Sequence, residues 1–193
     1  QAQAIGAKLI HLSTDDVFSH HARQPYNEFE IPTPSTIYGK SKLAGERFVQ
    51  NLCTRHVIVR SSWVYGIGKD FVNTILEAAN NPSVTSMEVA ENEFASPTSA
   101  TELAKVIEQL IDNDCLGIYH AVCGGFCSRF EFAQAILKAI HAKDKLTLKP
   151  ISDSETINYS VLDNMMLRLE NFTQPISWQQ ALKDYIRTTG GNN

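Results

Sequence analysis

The chain has 193 residues, 43% of them hydrophobic and 20% charged, an ordinary balance for a globular protein with one core or one domain and part of a second. A net charge of −4 gives no reason to expect nucleic acid or an anionic membrane surface as a partner. No apolar run approaches the roughly 20 residues a membrane-spanning helix needs, no basic-then-apolar leader opens the chain, and the scattered Cys53, Cys115, Cys123 and Cys127 suit reduced thiols, so the expected compartment is the cytoplasm.

The sequence starts at Gln1 and enters an apolar segment almost at once, as though joining its fold partway through. Residues 7–13 (AKLIHLS) read as a buried strand, followed by a polar, Pro-bearing loop over 19–34. Leu43, Phe48, Val49 and Leu52 recur at near-helical spacing over 35–52, with Ser35 placed as the N-cap. Residues 56–66 (HVIVRSSWVYG) read as a second strand ending in a Gly-bearing loop. The alternation continues with a helix over 70–81, an extended segment over 83–90, an amphipathic helix over 99–113 and a strand over 117–123. A helix over 128–140 follows, with Ser128 and Glu131 at the positions of a capping box. A short strand near 146–152, a loop and a helix over 177–189 complete the chain. Strand–helix alternation predicts an α/β fold with a mainly parallel sheet. Ligands of such sheets bind beyond the carboxyl ends of the strands, which directs attention to Ser13–Asp16 and Ser61–Tyr65.

Within YGKSK, Tyr38 and Lys42 stand four residues apart on one face of the expected helix. A phenol ionises near pH 10 and is a poor acid–base group at neutrality, but a neighbouring ammonium favours its charged form. A well-placed general acid is worth about 10²–10⁴ in rate. On spacing alone, though, the pattern is commonplace and also fits a solvated helix face. The adjacent Asp15 and Asp16 fit either an acid–base device or a solvated turn. His20 and His21 read as solvated loop residues, while His11, His56 and His120 lie on or beside strands and read as structural. No metal site is expected, because neither these histidines nor the CxxxC of Cys123 and Cys127 has a usual ligand spacing.

Taken together and in order, STDDVF (13–18), PYNEFEIPTPSTIYGKSKLAGE (25–46), HVIVRSSWVYG (56–66), GKDFVNTIL (68–76), FASPTSATELA (94–104), GIYHAV (117–122), SRFEFAQAIL (128–137) and YSVLD (159–163) carry a family likeness. The chain resembles the extended short-chain dehydrogenase/reductase family, and within it the dTDP-4-dehydrorhamnose reductases. Those enzymes reduce a 4-keto sugar nucleotide with NADPH in dTDP-rhamnose biosynthesis. The resemblance implies a partial Rossmann-like, doubly wound sheet with a smaller C-terminal α/β part. Residues 1–82 would form the C-terminal portion of the Rossmann-like domain and 83–193 mainly the substrate-binding part, the two interleaving.

The same resemblance assigns roles. Thr14, Tyr38 and Lys42 would be catalytic: Tyr38 protonates the sugar O4, Lys42 stabilises its phenolate and binds the nicotinamide ribose, and Thr14 bonds the substrate carbonyl. Ser13 and Ser61 would join Tyr38 and Lys42 at the cofactor, NADPH. Asp16, Trp63, Ser96 and Thr98 would join Thr14 at the sugar nucleotide. On the residues alone, Trp63 also fits a core position, and Ser96–Pro97–Thr98 an ordinary Pro turn.

Two departures from the reductase pattern stand out. Asp16 occupies the position where Ser-Thr-Asp-Tyr-Val-Phe has Tyr, and the related 4,6-dehydratases carry Thr-Asp-Glu there; the downstream motifs follow the reductases. The stretch before YSVLD is short and lacks an Arg-Pro-bearing segment. The Gly-rich turn that cradles a cofactor pyrophosphate is absent from the sequence, and Gly66, Gly68, Gly124 and Gly125 do not replace it. On this likeness about the first third of the family's fold is missing, leaving an open sheet edge that a homodimer contact or a partner would cover. A truncated, non-catalytic homologue, resembling the regulatory subunit of methionine adenosyltransferase, is the alternative reading.

Overall fold

The computed structural model describes residues 1–152 and 157–189. Strand β1 (Leu9–Thr14) leads through a short 3-10 turn (Asp15–Val17) and a long loop to helix α1 (Ile37–Leu52). Then come β2 (His56–Ser61), β3 (Val64–Tyr65), α2 (Phe71–Asn80), β4 (Ser86–Ala90), β5 (Glu93–Ala95), β6 (Thr98–Ser99) and α3 (Ala100–Asp112). The remainder is β7 (Gly117–His120), β8 (Cys127–Ser128), α4 (Arg129–Ala139), β9 (Thr147–Ile151), β10 (Asn158–Tyr159), α5 (Met165–Leu169) and α6 (Trp178–Thr189).

The fold is α/β with mainly parallel pairing. β1, β2 and β7 form a parallel sheet in that order, Leu9 opposite His56 and Val57 opposite Gly117. Val57, Ile58 and Val59 are all buried, so β2 is covered on both faces, as the strands of parallel sheets generally are. On one face, Leu103, Val106 and Leu110 of α3 pack against Val57, Val59 and Tyr119. Their i, i+3, i+7 spacing is the apolar stripe of an amphipathic helix. A second core joins α2, α4 and α6 around Ile75, Phe132, Ile136 and Leu182. Smaller pairings β10-β5-β8, β3-β6 and β4-β9 connect the two regions.

Several local expectations change. Thr36, not Ser35, caps α1, its hydroxyl accepting from Gly39 N–H at 2.9 Å. The segment 56–66 is two strands, broken at Ser62–Trp63, where Trp63 takes a left-handed φ of 41°. The loop over 19–34 is tied down rather than free: Tyr26 N–H donates to Val161, and His21 bridges Tyr159. β5, β8, β10 and α5 are too short to leave a periodic signal. The capping box of α4 is present as read, with Glu131 reaching back to Ser128 N–H at 2.8 Å. Residues 153–156 of the short stretch before YSVLD lie outside the described residues.

Gly39 fixes how α1 meets the end of β1. A β-carbon there would overlap the Asp16 carbonyl oxygen and sit 3.1 Å from the Pro34 Cβ. Helix propensity alone favours Ala over Gly by about 1 kcal/mol. Overpacking against rigid backbone costs about 1–3 kcal/mol or more, so the clash decides the sign. Gly39→Ala is expected to lower the urea midpoint; an unchanged or raised midpoint would show that α1 shifts freely.

Candidate active site

The carboxyl ends of β1 and β2 gather a network around one buried carboxylate. Thr14 ends β1 and caps the following 3-10 turn: its hydroxyl accepts from Asp16 N–H at 3.2 Å and donates to Asp15 Oδ1 at 3.0 Å. Ser62, at the break after β2, donates to Asp15 Oδ2 at 2.8 Å, and Ser160 donates to the same oxygen at 2.6 Å. Asp15 is therefore not a solvated turn residue, although its backbone does turn. Burial raises it above the usual carboxylate range, and the nearby Asp16 charge adds to this. The Ser160 and Ser62 hydrogen bonds oppose the rise.

A raised folded-state value fixes the direction of the pH effect. Between the unfolded value of about 3.9 and the folded one, the native state holds a proton that the unfolded state has lost. Asp15's contribution is thus fully present below the unfolded value and declines as pH rises through the folded one. Asn keeps an oxygen for Ser62 and Ser160 without that penalty. Asp15→Asn should therefore gain stability relative to the parent protein as pH rises from about 4 to about 8, read from paired urea titrations. A difference that stays flat across that window would reject the assignment.

Tyr38 and Lys42 lie on the first turns of α1, beside this network. Lys42 Nζ donates to the Leu12 carbonyl at 2.7 Å, latching the helix to β1. Tyr38 is 54% exposed, and among the described residues none hydrogen-bonds its hydroxyl. The Gly39–Asp16 contact seats the Tyr38 turn against the residue that follows Asp15. Thr14, Asp16, Tyr38 and Lys42 are thereby drawn together at one strand end.

The other expected site residues are placed differently. Ser13 has a buried hydroxyl with no partner among the described residues. Ser61 is buried and donates to the Ala121 carbonyl at 2.7 Å. Ser96 and Thr98 are also interior: Thr98 donates to the Ser96 carbonyl at 3.0 Å and accepts from Cys123 N–H at 3.2 Å. The Ser61 and Thr98 hydroxyl protons thus go to main-chain carbonyls. Trp63 is half-buried, with the Arg129 guanidinium 3.6 Å above its ring and 4.9 Å from the centre of the Phe71 ring. Burial lowers Arg129 from its usual value, and Glu93 at 3.6 Å opposes that.

Among the histidines, His20 departs from expectation. It is not solvated: its Nε2 lies 3.2 Å from Asp16 Oδ1, and its side chain is only 12% exposed. His21 is exposed. His120 is buried, its Nδ1 3.1 Å from the Tyr26 and Asp163 carbonyls, and burial with the Arg60 charge pushes it down to about 3. His11 is lowered too, mainly by burial.

Sequence reasoning missed Ser160 and Arg129, gave Ser62 no role within Ser61–Tyr65, and missed an ion pair beneath the site. Glu46 of α1 and Arg60 of β2 are both 1% exposed and meet through two hydrogen bonds of 2.9 and 2.7 Å. A signal for it existed. Arg60 interrupts the apolar run HVIV, and Glu46 continues the buried Gly39–Leu43 stripe of α1.

Comparison with known proteins identifies the family and the fold. The profile of the RmlD substrate binding domain matches residues 1–190. A spore coat polysaccharide biosynthesis protein, SpsK, of Bacillus subtilis is 34% identical over 97% of this chain. The dTDP-4-dehydrorhamnose reductase of Escherichia coli is 32% identical over 94% of it. The chain spans 66% of the length of each of these relatives. Among solved structures, a dTDP-4-dehydrorhamnose reductase from Bacillus anthracis, in complex with NADP, superposes with a TM-score of 0.91 at 37% identity, over 97% of this chain and 68% of that one. A dTDP-glucose 4,6-dehydratase of the same organism, at 15% identity and a TM-score of 0.80 over 96% of this chain and 62% of that one, shares the fold alone. By the extent of the profile match and by these relatives, the chain belongs to the RmlD substrate binding domain family.

Proposed function

We propose that this chain carries the proton-donating and sugar-nucleotide-binding machinery of an NADPH-dependent reductase acting on a 4-keto sugar nucleotide, dTDP-4-dehydrorhamnose, in the cytoplasm. The observation that carries the reading is the placement of Tyr38 and Lys42 beside Thr14 at the end of β1, in a chain 32% identical to a named reductase of that substrate. The reductase names among the relatives favour catalysis over the binding-module alternative.

The donor set fits one end of the cofactor. An ammonium has three protons, and Lys42 gives one to Leu12, leaving others for ribose hydroxyls. NADPH, when bound, supplies the hydride that reduces C4. Tyr38 gives its phenolic proton to the O4 oxygen as the carbonyl becomes an alcohol, and its exposed ring allows reprotonation from solvent. Lys42 stabilises the phenolate that remains. Thr14 must release Asp15 to donate to a substrate oxygen, so its role includes an exchange of hydrogen-bond partner. Asp16 and Trp63 flank the sugar side. The pyrophosphate end has no Gly-rich turn in this sequence, and no residue is assigned to it.

In this reading residues 1–82 hold the catalytic groups and 83–193 mainly the substrate side. The open edge of β1, which pairs with β2 alone among the described residues, is covered by a second copy or a partner, because an uncovered edge invites further strands. The purified protein should consume NADPH when given dTDP-4-dehydrorhamnose, followed by loss of nicotinamide absorbance. Absence of substrate-dependent consumption would overturn the proposal.

A further inference from the structure

Asp16 and His20 pair at the end of β1, beside the groups assigned to catalysis. His20 Nε2 lies 3.2 Å from Asp16 Oδ1, and the two side chains differ in exposure, 12% for His20 and 32% for Asp16. The imidazole is thus behind and the carboxylate in front. Backbone strain supports the arrangement: His20 has a φ of 65°, a conformation costly for a residue with a β-carbon. It is retained where Tyr159 N–H donates to the His20 carbonyl at 2.8 Å and β10 packs against the loop.

Asp16 is also fixed on its backbone. Its N–H donates to Thr14 Oγ1, and its carbonyl abuts Gly39, next to Tyr38. The carboxylate therefore projects from a backbone segment held between two of the groups assigned to catalysis. A carboxylate accepts hydrogen bonds only, so it suits a hydroxyl donor such as those on a sugar ring, where an aromatic side chain offers a flat apolar face.

Resting on the reductase reading, we propose that Asp16 is a specificity residue that accepts a hydrogen bond from a sugar hydroxyl of the dTDP-sugar, and that His20, 3.2 Å from it, is the positioning residue holding its carboxylate in place. The groups facing His20 are Asp16 and Asp15 from the end of β1, with Asn158 and Tyr159 from β10. Burial lowers His20, but the contact with Asp16 and the charges of Asp15 and Asp16 outweigh it and raise it above the usual imidazole value. Sugar recognition should accordingly be strong below that raised value and weaken as pH rises through it.

The test is calorimetric binding of dTDP-rhamnose and of dTDP alone, across pH, to the parent protein and to His20→Gln, Asp16→Asn and the control His21→Gln. A hydrogen bond to a charged acceptor corresponds to about a ten- to hundredfold change in affinity. Asp16→Asn should weaken dTDP-rhamnose binding by that factor and abolish its pH dependence, and His20→Gln should weaken it at low pH to the parent's high-pH level. dTDP binding should be unaffected in every variant, and His21→Gln should behave as the parent. If dTDP-rhamnose binds and both variants keep the parent's affinity and pH profile, the inference falls while the reductase reading stands. If the parent binds neither ligand, the reductase reading itself falls and takes the inference with it.

Discussion

Tyr38→Phe is expected to lower the turnover number for keto-sugar reduction about 10²- to 10⁴-fold while leaving dTDP-rhamnose affinity nearly unchanged. The substitution removes one hydroxyl and keeps the ring. That hydroxyl bonds no described residue, and the side chain is 54% exposed, so the fold should not register its loss. Surface changes of this kind usually stay within about 0.5 kcal/mol. A large kinetic effect with an unchanged urea midpoint therefore isolates proton donation from packing. Turnover within about tenfold of the parent would remove Tyr38 from the proton path. Solvent would then have to supply the proton to O4 directly.

Glu46→Ala should have the largest effect on stability, a loss of about 3–5 kcal/mol. Glu46 and Arg60 neutralise each other where water does not reach, and both guanidinium contacts are short. Removing the carboxylate leaves Arg60 with its charge, 5.2 Å from the face of Phe18 and with Nη1 already lacking a partner. A single ring face does not replace a paired carboxylate. The double change Glu46→Met with Arg60→Met should be far milder, because apolar side chains of similar volume often substitute for a buried pair at little cost. The check is urea unfolding of the two variants against the parent. A single variant that loses less than about 1 kcal/mol would show that water or another group reaches Arg60. The pair also has a functional side: it ties the helix bearing Tyr38 and Lys42 to the strand that ends at Ser61 and Ser62.

The long elements were legible because their signals are local. The apolar run at 7–13 places β1, and the spacing of Leu103, Val106 and Leu110 places α3. Ser128 and Glu131 announce the start of α4 in four residues. Of the site, the grouping of Thr14, Tyr38 and Lys42 came from the family resemblance, since the Tyr38–Lys42 spacing alone is commonplace. The polar network was not legible, because it is made by contacts between distant residues: Ser160 reaches Asp15 across 145 positions. The exposure of His20 was misread for a similar reason, since β10, which shelters it, has only two residues and no periodicity of its own. Interior hydroxyls such as Ser61 and Thr98 look the same in sequence as exposed ones. Only the position of the Ala121 and Ser96 carbonyls distinguishes them.

The contact between Gly39 and the Asp16 carbonyl bears on how such a protein diversifies. The first turn of α1 is registered by main-chain atoms, which every amino acid at position 16 would supply alike. The side chain there is consequently free to be exchanged without displacing Tyr38, one residue from Gly39. Libraries randomised at position 16 should therefore retain folded members at high frequency, and Gly39 is the position such a library has to leave alone.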